Sequence, residues 1–162
     1  MKSIMLATDG SPSAEEATRE AIDLASNLHL PLTVVSVAHA NLPFIGYYGY
    51  AQTDVIAELR QYERDHVGQV LAAVRERAAA AGVAGETVAL EGMPGEEICE
   101  AAKERDVRLI VVGAHGWGRM GRMIHGSVSE YVLHHAEAPV LVVPGDADVE
   151  TRSEQEMSGV AA

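Results

Sequence analysis

The sequence predicts an α/β fold, a single open sheet of five parallel strands with helices on both faces, and three observations carry that prediction. Short β-branched runs alternate with helical patterns five times along the chain, the order that parallel strands joined by right-handed crossovers produce. Aromatics supply only 4% of the 162 residues, so Ala, Val, Ile and Leu must build the core, as they do where helices cover a buried parallel sheet. With 48% apolar and 22% charged residues, the chain has material for one ordinary domain and is not of disordered composition.

Each element has its own signal. Ile4 to Ala7 is a short apolar run stopped by Thr8-Asp9-Gly10-Ser11-Pro12, which reads as a first strand entering a turn. Ser11 or Ser13 can cap the next helix, with Pro12 at its first position and Glu15 and Glu16 at its positive end. Ala14, Ala17, Ala21, Leu24 and Leu28 recur at helical spacing and form its predicted buried stripe. Leu32 to Val37 is β-branched and follows Pro31, giving the second strand. The spacing of Ile56, Leu59, Val67, Val70, Val74, Ala78 and Ala81 predicts a long helix from about Thr53 to Ala81, with a polar middle from Tyr62 to His66 and Gly82 as its stop. Thr87 to Leu90 is the third strand, and Gly92-Met93-Pro94 turns the chain into a short helix carrying Ile98, Ala101 and Ala102. Val107 to Val112 is the fourth strand, Ser127 to His135 the last helix, and Pro139 to Val143 the fifth strand. Residues 145–162 show no periodic apolar face and are expected to form a solvated, disordered tail after a domain of residues 1–144.

Charge and cysteine usage narrow the function classes. The net charge of −12 leaves no general basic face for duplex DNA or an anionic membrane surface. Cys99 is the only cysteine, which excludes an intrachain disulfide and a multi-cysteine zinc site and suits a reducing compartment. The apolar run near Met1 is too short for a signal-peptide core, and no run approaches the roughly 20 apolar residues of a membrane span. A soluble, cytoplasmic protein without membrane insertion or nucleic-acid binding is therefore expected.

In an open parallel sheet, ligands bind beyond the carboxyl ends of the strands where the chain changes direction across the sheet. That directs attention to Asp9, to Val37 and the loop after it, and to the loop opening at Gly113. The last of these holds Gly113, Gly116 and Gly126, followed by Ser127-Val128-Ser129 at a helix start. Glycines admit backbone N–H groups to a phosphate, a helix N-terminus adds unsatisfied donors and positive potential, and a hydroxyl adds a directed bond. Arg119 and Arg122 lie in the same segment, and no acid occurs from Gly113 through Ser129, although acids outnumber bases 24 to 12 in the whole chain. The segment is thus a cationic island suited to an anionic ligand. It is not a GxxxxGK[ST] phosphate loop, because no Lys precedes Ser127.

At these residues the chain resembles the universal stress protein family, specifically its ATP-binding branch, whose G-x2-G-x9-G-[ST] signature is matched by Gly113, Gly116, Gly126 and Ser127. The resemblance extends over about residues 1 to 144, including the Thr8-Asp9 turn, Gly92-Met93-Pro94 and Ala138-Pro139-Val140-Leu141-Val142-Val143. It implies strand order 3-2-1-4-5 in an adenine-nucleotide α-hydrolase-like fold, a homodimer formed through the last strand, and ATP at the switch point. It further implies that Asp9 and Val37 contact the ribose and adenine end, while Gly113, Gly116, Gly126, Ser127 and Ser129, with Val128 between the two serines, hold ribose and phosphates. His125 stands where the family usually carries Leu, and can be a phosphate donor or simply solvent-facing. Trp117, Met120 and Met123 make the intervening loop bulky.

The other residues that stand out keep two readings. Asp9 can accept from ribose hydroxyls, help hold a phosphate-bound metal, or serve its own turn. Phe44, Tyr47, Tyr48 and Tyr50 can cover a ligand or pack on their own loop. His134 and His135 point apart on a helix and more simply meet exposed carbonyls at its end, and Cys99 reads as a core residue. Pro139 to Val143, placed at a sheet edge, would be protected by pairing with its twofold copy. The expected function is an ATP-binding stress-response module, with Mg2+ bridging the phosphates and no dedicated catalysis beyond slow hydrolysis or autophosphorylation on Ser127 or Ser129. The alternative is an adenylating or ATP pyrophosphate-releasing enzyme on a related fold, which would need motifs that the sequence lacks: a Ser-Gly-Gly-x-Asp-Ser loop after the first strand or a His-Ile-Gly-His element.

Overall fold

A computed structural model of the chain describes residues 2–39, 53–114 and 127–145, with side chains in the long helix described from Ile56 onward. The elements in order are β1 (Ile4–Ala7), a 3-10 turn (Pro12–Ala14), α1 (Glu15–Leu28), β2 (Leu32–His39), α2 (Thr53–Ala80), β3 (Gly85–Gly92), α3 (Pro94–Glu104), β4 (Leu109–Gly113), α4 (Ser127–His135) and β5 (Val140–Val143). All neighbouring strands are parallel and the sheet order is β3-β2-β1-β4-β5, so the chain builds outward to β3 and then crosses back to β4.

Side-chain alternation divides the core between two faces. Ile4, Leu6, Leu32, Val34 and Val111 point to α1 and α2, where Ala17, Ala21, Val67 and Val74 meet them. Met5, Ala7, Val35, Ile110 and Val112 point to α3 and α4, against Ile98, Ala101, Ala102 and Val132. β1 is covered on both faces, so all four of its residues are buried, as its continuous apolar run requires. Gly95 lets α3 approach α4: a Cβ there would lie 2.6 Å from the Tyr131 ring.

The structure corrects several sequence expectations. Leu28 is 48% exposed, because α1 ends there and His29 turns the chain in the left-handed conformation (φ 55°). Thr18, Ile22 and Ala25 fill the face instead. Ser11 sits at the position preceding the 3-10 turn, but its hydroxyl bonds the Ser13 hydroxyl (3.1 Å) and makes no cap hydrogen bond. β3 spans eight residues rather than four because β2 pairs with it throughout, from Leu32 opposite Gly85 to His39 opposite Gly92. Val107 and Arg108 lie outside β4: after Asp106 (φ 46°) the Val107 amide still bonds Ala102, and Arg108 bonds Ser3.

Candidate functional site

The register leaves a step at the carboxyl end of the sheet. Ala7, the last residue of β1, pairs with Val35 and with Val112, whereas β2 continues to His39 and β4 to Gly113. The chain therefore leaves the sheet at its centre while both neighbours run on, and this is also where the strand order reverses.

Side chains close the turn that leaves β1. The Thr8 amide extends the ladder by one bond to Val35 (3.1 Å), Thr8 Oγ1 accepts from the Gly10 amide (3.2 Å), and Asp9 Oδ1 accepts from the Ser11 amide (3.0 Å). This is the local pattern that makes Asp a turn residue. Asp9 sits half-buried beside the step. Gly10 adopts φ +72°, and a Cβ on it would lie 2.5 Å from Val70 Cγ2 of α2, so glycine satisfies both the backbone conformation and the close approach.

On the opposite side of the step, Gly113 ends β4 and the Ala114 amide bonds the Val143 carbonyl (2.8 Å). Buried Ser129 donates its hydroxyl to the Ala114 carbonyl (3.2 Å), which ties the first turn of α4 to the exit of β4. Ser127, the first residue of α4, is exposed, and Val128 packs half-buried against the α3/α4 core. Val37 is half-buried near the end of β2 and pairs with Leu90. Among the predicted residues, the structure thus collects Asp9, Val37, Gly113, Ser127, Val128 and Ser129 at one edge of the sheet. Gly116, Arg119, Arg122, His125 and Gly126 lie outside the described residues, as do Trp117, Met120, Met123 and the aromatics Phe44, Tyr47, Tyr48 and Tyr50.

The sequence reading missed one contributor. His66, in the polar middle of α2, places Nε2 3.1 Å from the carbonyl oxygen of Asp9. Only its place on the helix, one turn before the buried Val70, hinted at an inward role. A cavity of about 270 Å³ lies beside this contact, between α2 and the start of α1, lined by Thr8, Ser11, Ala14, Gln69 and Val74 among others. It opens on the α1/α2 side of the sheet and includes no residue of β4 or α4.

Remaining candidates resolve simply. His135 donates through Nδ1 to the Tyr131 carbonyl (2.8 Å) and stacks on the Tyr131 ring, the end-of-helix role expected of it. Cys99 packs half-buried against the α3/α4 core, and burial raises its thiol pKa, which disfavours the thiolate. Among the described residues there is no group of three or more metal-ligating side chains, and no helix is long and apolar enough to cross a membrane.

Comparisons with known proteins agree with this geometry. The profile of the universal stress protein family matches residues 1–144. The chain is 35% identical over 142 residues to universal stress protein MJ0531 of Methanocaldococcus jannaschii, covering 88% of this chain and 81% of that protein. The solved structure of universal stress protein UspA from Lactobacillus plantarum superposes with a TM-score of 0.76 at 26% identity, covering 88% of this chain and 97% of that one. A universal stress protein family member from Arabidopsis thaliana, solved with AMP bound, shares the fold at 22% identity and a TM-score of 0.65, covering 91% and 94% of the two chains. Sheet order, the step at the carboxyl edge and sequence similarity along most of the chain converge: this protein belongs to the universal stress protein family.

Proposed function

We propose that this chain is an ATP-binding regulatory protein that holds the nucleotide across the step between β1 and β4 and acts through nucleotide-dependent contacts with partners. The observation that carries the reading is the convergence of the Asp9 turn, the end of β2 and the α4 N-terminus at a strand-order reversal, with Ser129 fastening α4 to β4. In this reading Asp9 and Val37 meet the ribose and adenine, and Gly113, Gly116, Gly126, Ser127 and Ser129 hold ribose and phosphates through backbone amides and hydroxyls. Arg119, Arg122 and His125 add positive charge or donors. The relative with bound AMP supports an adenine nucleotide as the ligand class.

Among the described residues the step offers one carboxylate, Asp9, an exposed hydroxyl at Ser127, and at Ser129 a buried hydroxyl whose proton goes to the Ala114 carbonyl. That set fits a Mg2+ ion carried on the phosphates, since Mg2+ takes few protein ligands and keeps several waters. When bound, the ion would neutralise phosphate charge. The function proposed is regulation by nucleotide occupancy rather than rapid turnover. The outer edge of β5 pairs with no strand among the described residues, which favours a homodimer through residues 139–143. A cytoplasmic setting completes the proposal.

Mass spectrometry of the ligand that copurifies with the natively isolated protein, followed by calorimetric titration with ATP, ADP and AMP, tests the reading. Gly126→Val should abolish binding by blocking backbone approach, and Ser127→Ala should weaken it by about 1 to 3 kcal/mol if the hydroxyl bonds a charged phosphate. Unchanged ATP affinity in Gly126→Val refutes the site.

A further inference from the structure

We propose that His66 is a positioning residue for the nucleotide site: from α2 it holds the carbonyl of Asp9 and so sets where the Asp9 carboxylate stands at the step. The inference rests on the assignment of Asp9 to the nucleotide. A carbonyl oxygen only accepts, so the Nε2 atom 3.1 Å away carries the proton. Both the neutral Nε2–H tautomer and the imidazolium satisfy that requirement, and the contact does not depend on the charge of the ring. It joins residues 57 apart in sequence, so it is a tertiary fastening of the turn and not part of the local Asp turn.

A second contact acts on the same turn. Val70, four residues beyond His66 and on the same face of α2, stands against Gly10 so closely that no Cβ fits between them. Asp9 is thereby held at its carbonyl by His66, at its carboxylate by the Ser11 amide, and through the next residue by Val70. Farther along α2, Arg77 makes a bidentate ion pair with Glu15 of α1 (2.9 and 2.7 Å), so α2 is secured to the segment after β1 at both ends of this stretch. Among the described contacts from α2, the His66 bond reaches Asp9 itself, whereas Val70 acts on Gly10 and Arg77 on Glu15. A ligand that grips the Asp9 carboxylate benefits from a turn already held in place, because less ordering is left for binding to supply. By reciprocity, a nucleotide bound at the step would tighten the docking of α2 by the same factor.

The test uses the full chain and calorimetric titration with ATP. His66→Ala should weaken ATP binding roughly fivefold, the scale of one lost hydrogen bond, and His66→Gln, whose amide nitrogen can donate to the same carbonyl, should recover most of it. Should His66→Ala not fold, His66→Phe retains ring bulk without the donor and takes its place. In an Asp9→Ala background the His66 substitution should change affinity less than about twofold, since the group it positions is gone. Hydrogen exchange on the nucleotide-free protein should show the Gly10 and Ser11 amides losing protection in His66→Ala while β1 keeps its own. Wild-type affinity in His66→Ala, failure of Gln to restore it, or full additivity with Asp9→Ala each overturns the proposal. Absence of nucleotide binding by the wild-type protein is a different result: it refutes the proposed function and removes the role for His66 with it.

Discussion

Replacing Gly10 by Ala makes two demands on the turn that leaves β1, and the structure sets the size of each. At φ +72° an L-residue pays about 1 kcal/mol for the left-handed conformation. The added methyl would lie 2.5 Å from Val70 Cγ2, about 1 Å inside ordinary contact. Val70 is 9% exposed and, being β-branched in a helix, is held to one rotamer, so relief requires the turn or α2 to shift. Overpacking of this kind costs about 1 to 3 kcal/mol, for a total near 2 to 4 kcal/mol. Val70→Ala alone loses two buried methyl groups and costs about 2 kcal/mol. If the overlap is the cause, the double variant regains that part of the loss: about 3 kcal/mol in all, against about 5 kcal/mol for the sum of the singles. Urea unfolding with a constant slope m, run on the four proteins of this cycle, measures the difference directly. Additivity within about 0.5 kcal/mol would show that Gly10 and Val70 do not press on one another, and the account of how α2 seats the Asp9 turn would fail with it.

Other consequences are open to measurement. Ser129→Ala removes the donor to the Ala114 carbonyl, so the nucleotide-free protein should lose about 1 to 2 kcal/mol of stability; an unchanged urea midpoint would mean that α4 is held to β4 by packing alone. Burial raises the Cys99 pKa, so less thiolate is present at a given pH than in a free thiol. Alkylation of Cys99 at pH 8 should therefore run slower than that of glutathione and should accelerate up to a higher pH, and a rate equal to glutathione's contradicts the stated environment.

Local signals sufficed wherever an element's limits are local. The bounds of β1 and α4 agree with the sequence reading because each is set by its own residues: Thr8-Asp9-Gly10 stops one, and Ser127 opens the other. Limits set by a partner were not legible. β3 continues through Gly85 and Gly92, poor strand formers, because β2 offers it a hydrogen-bonding edge along its whole length. Leu28 fits the helical period yet faces water, since periodicity cannot say where the covering sheet ends.

The same division holds at the candidate site. The turn at Asp9 and the helix start at Ser127 could be read from sequence because turn chemistry and helix starts depend on neighbouring residues, whereas Gly113, read as the opening of the loop, is the last residue of β4. Ser129 reads from sequence as a ligand contact, and its described bond is to the Ala114 carbonyl, fifteen residues back.

From the chain alone came the alternation of strands and helices and the motifs that carry the family resemblance, both consequences of short-range pattern. Only the tertiary structure showed that α2 returns to hold the Asp9 carbonyl through His66 and to crowd Gly10 with Val70. Those contacts span about sixty positions, and no local preference encodes which two distant segments will meet once the strands have paired.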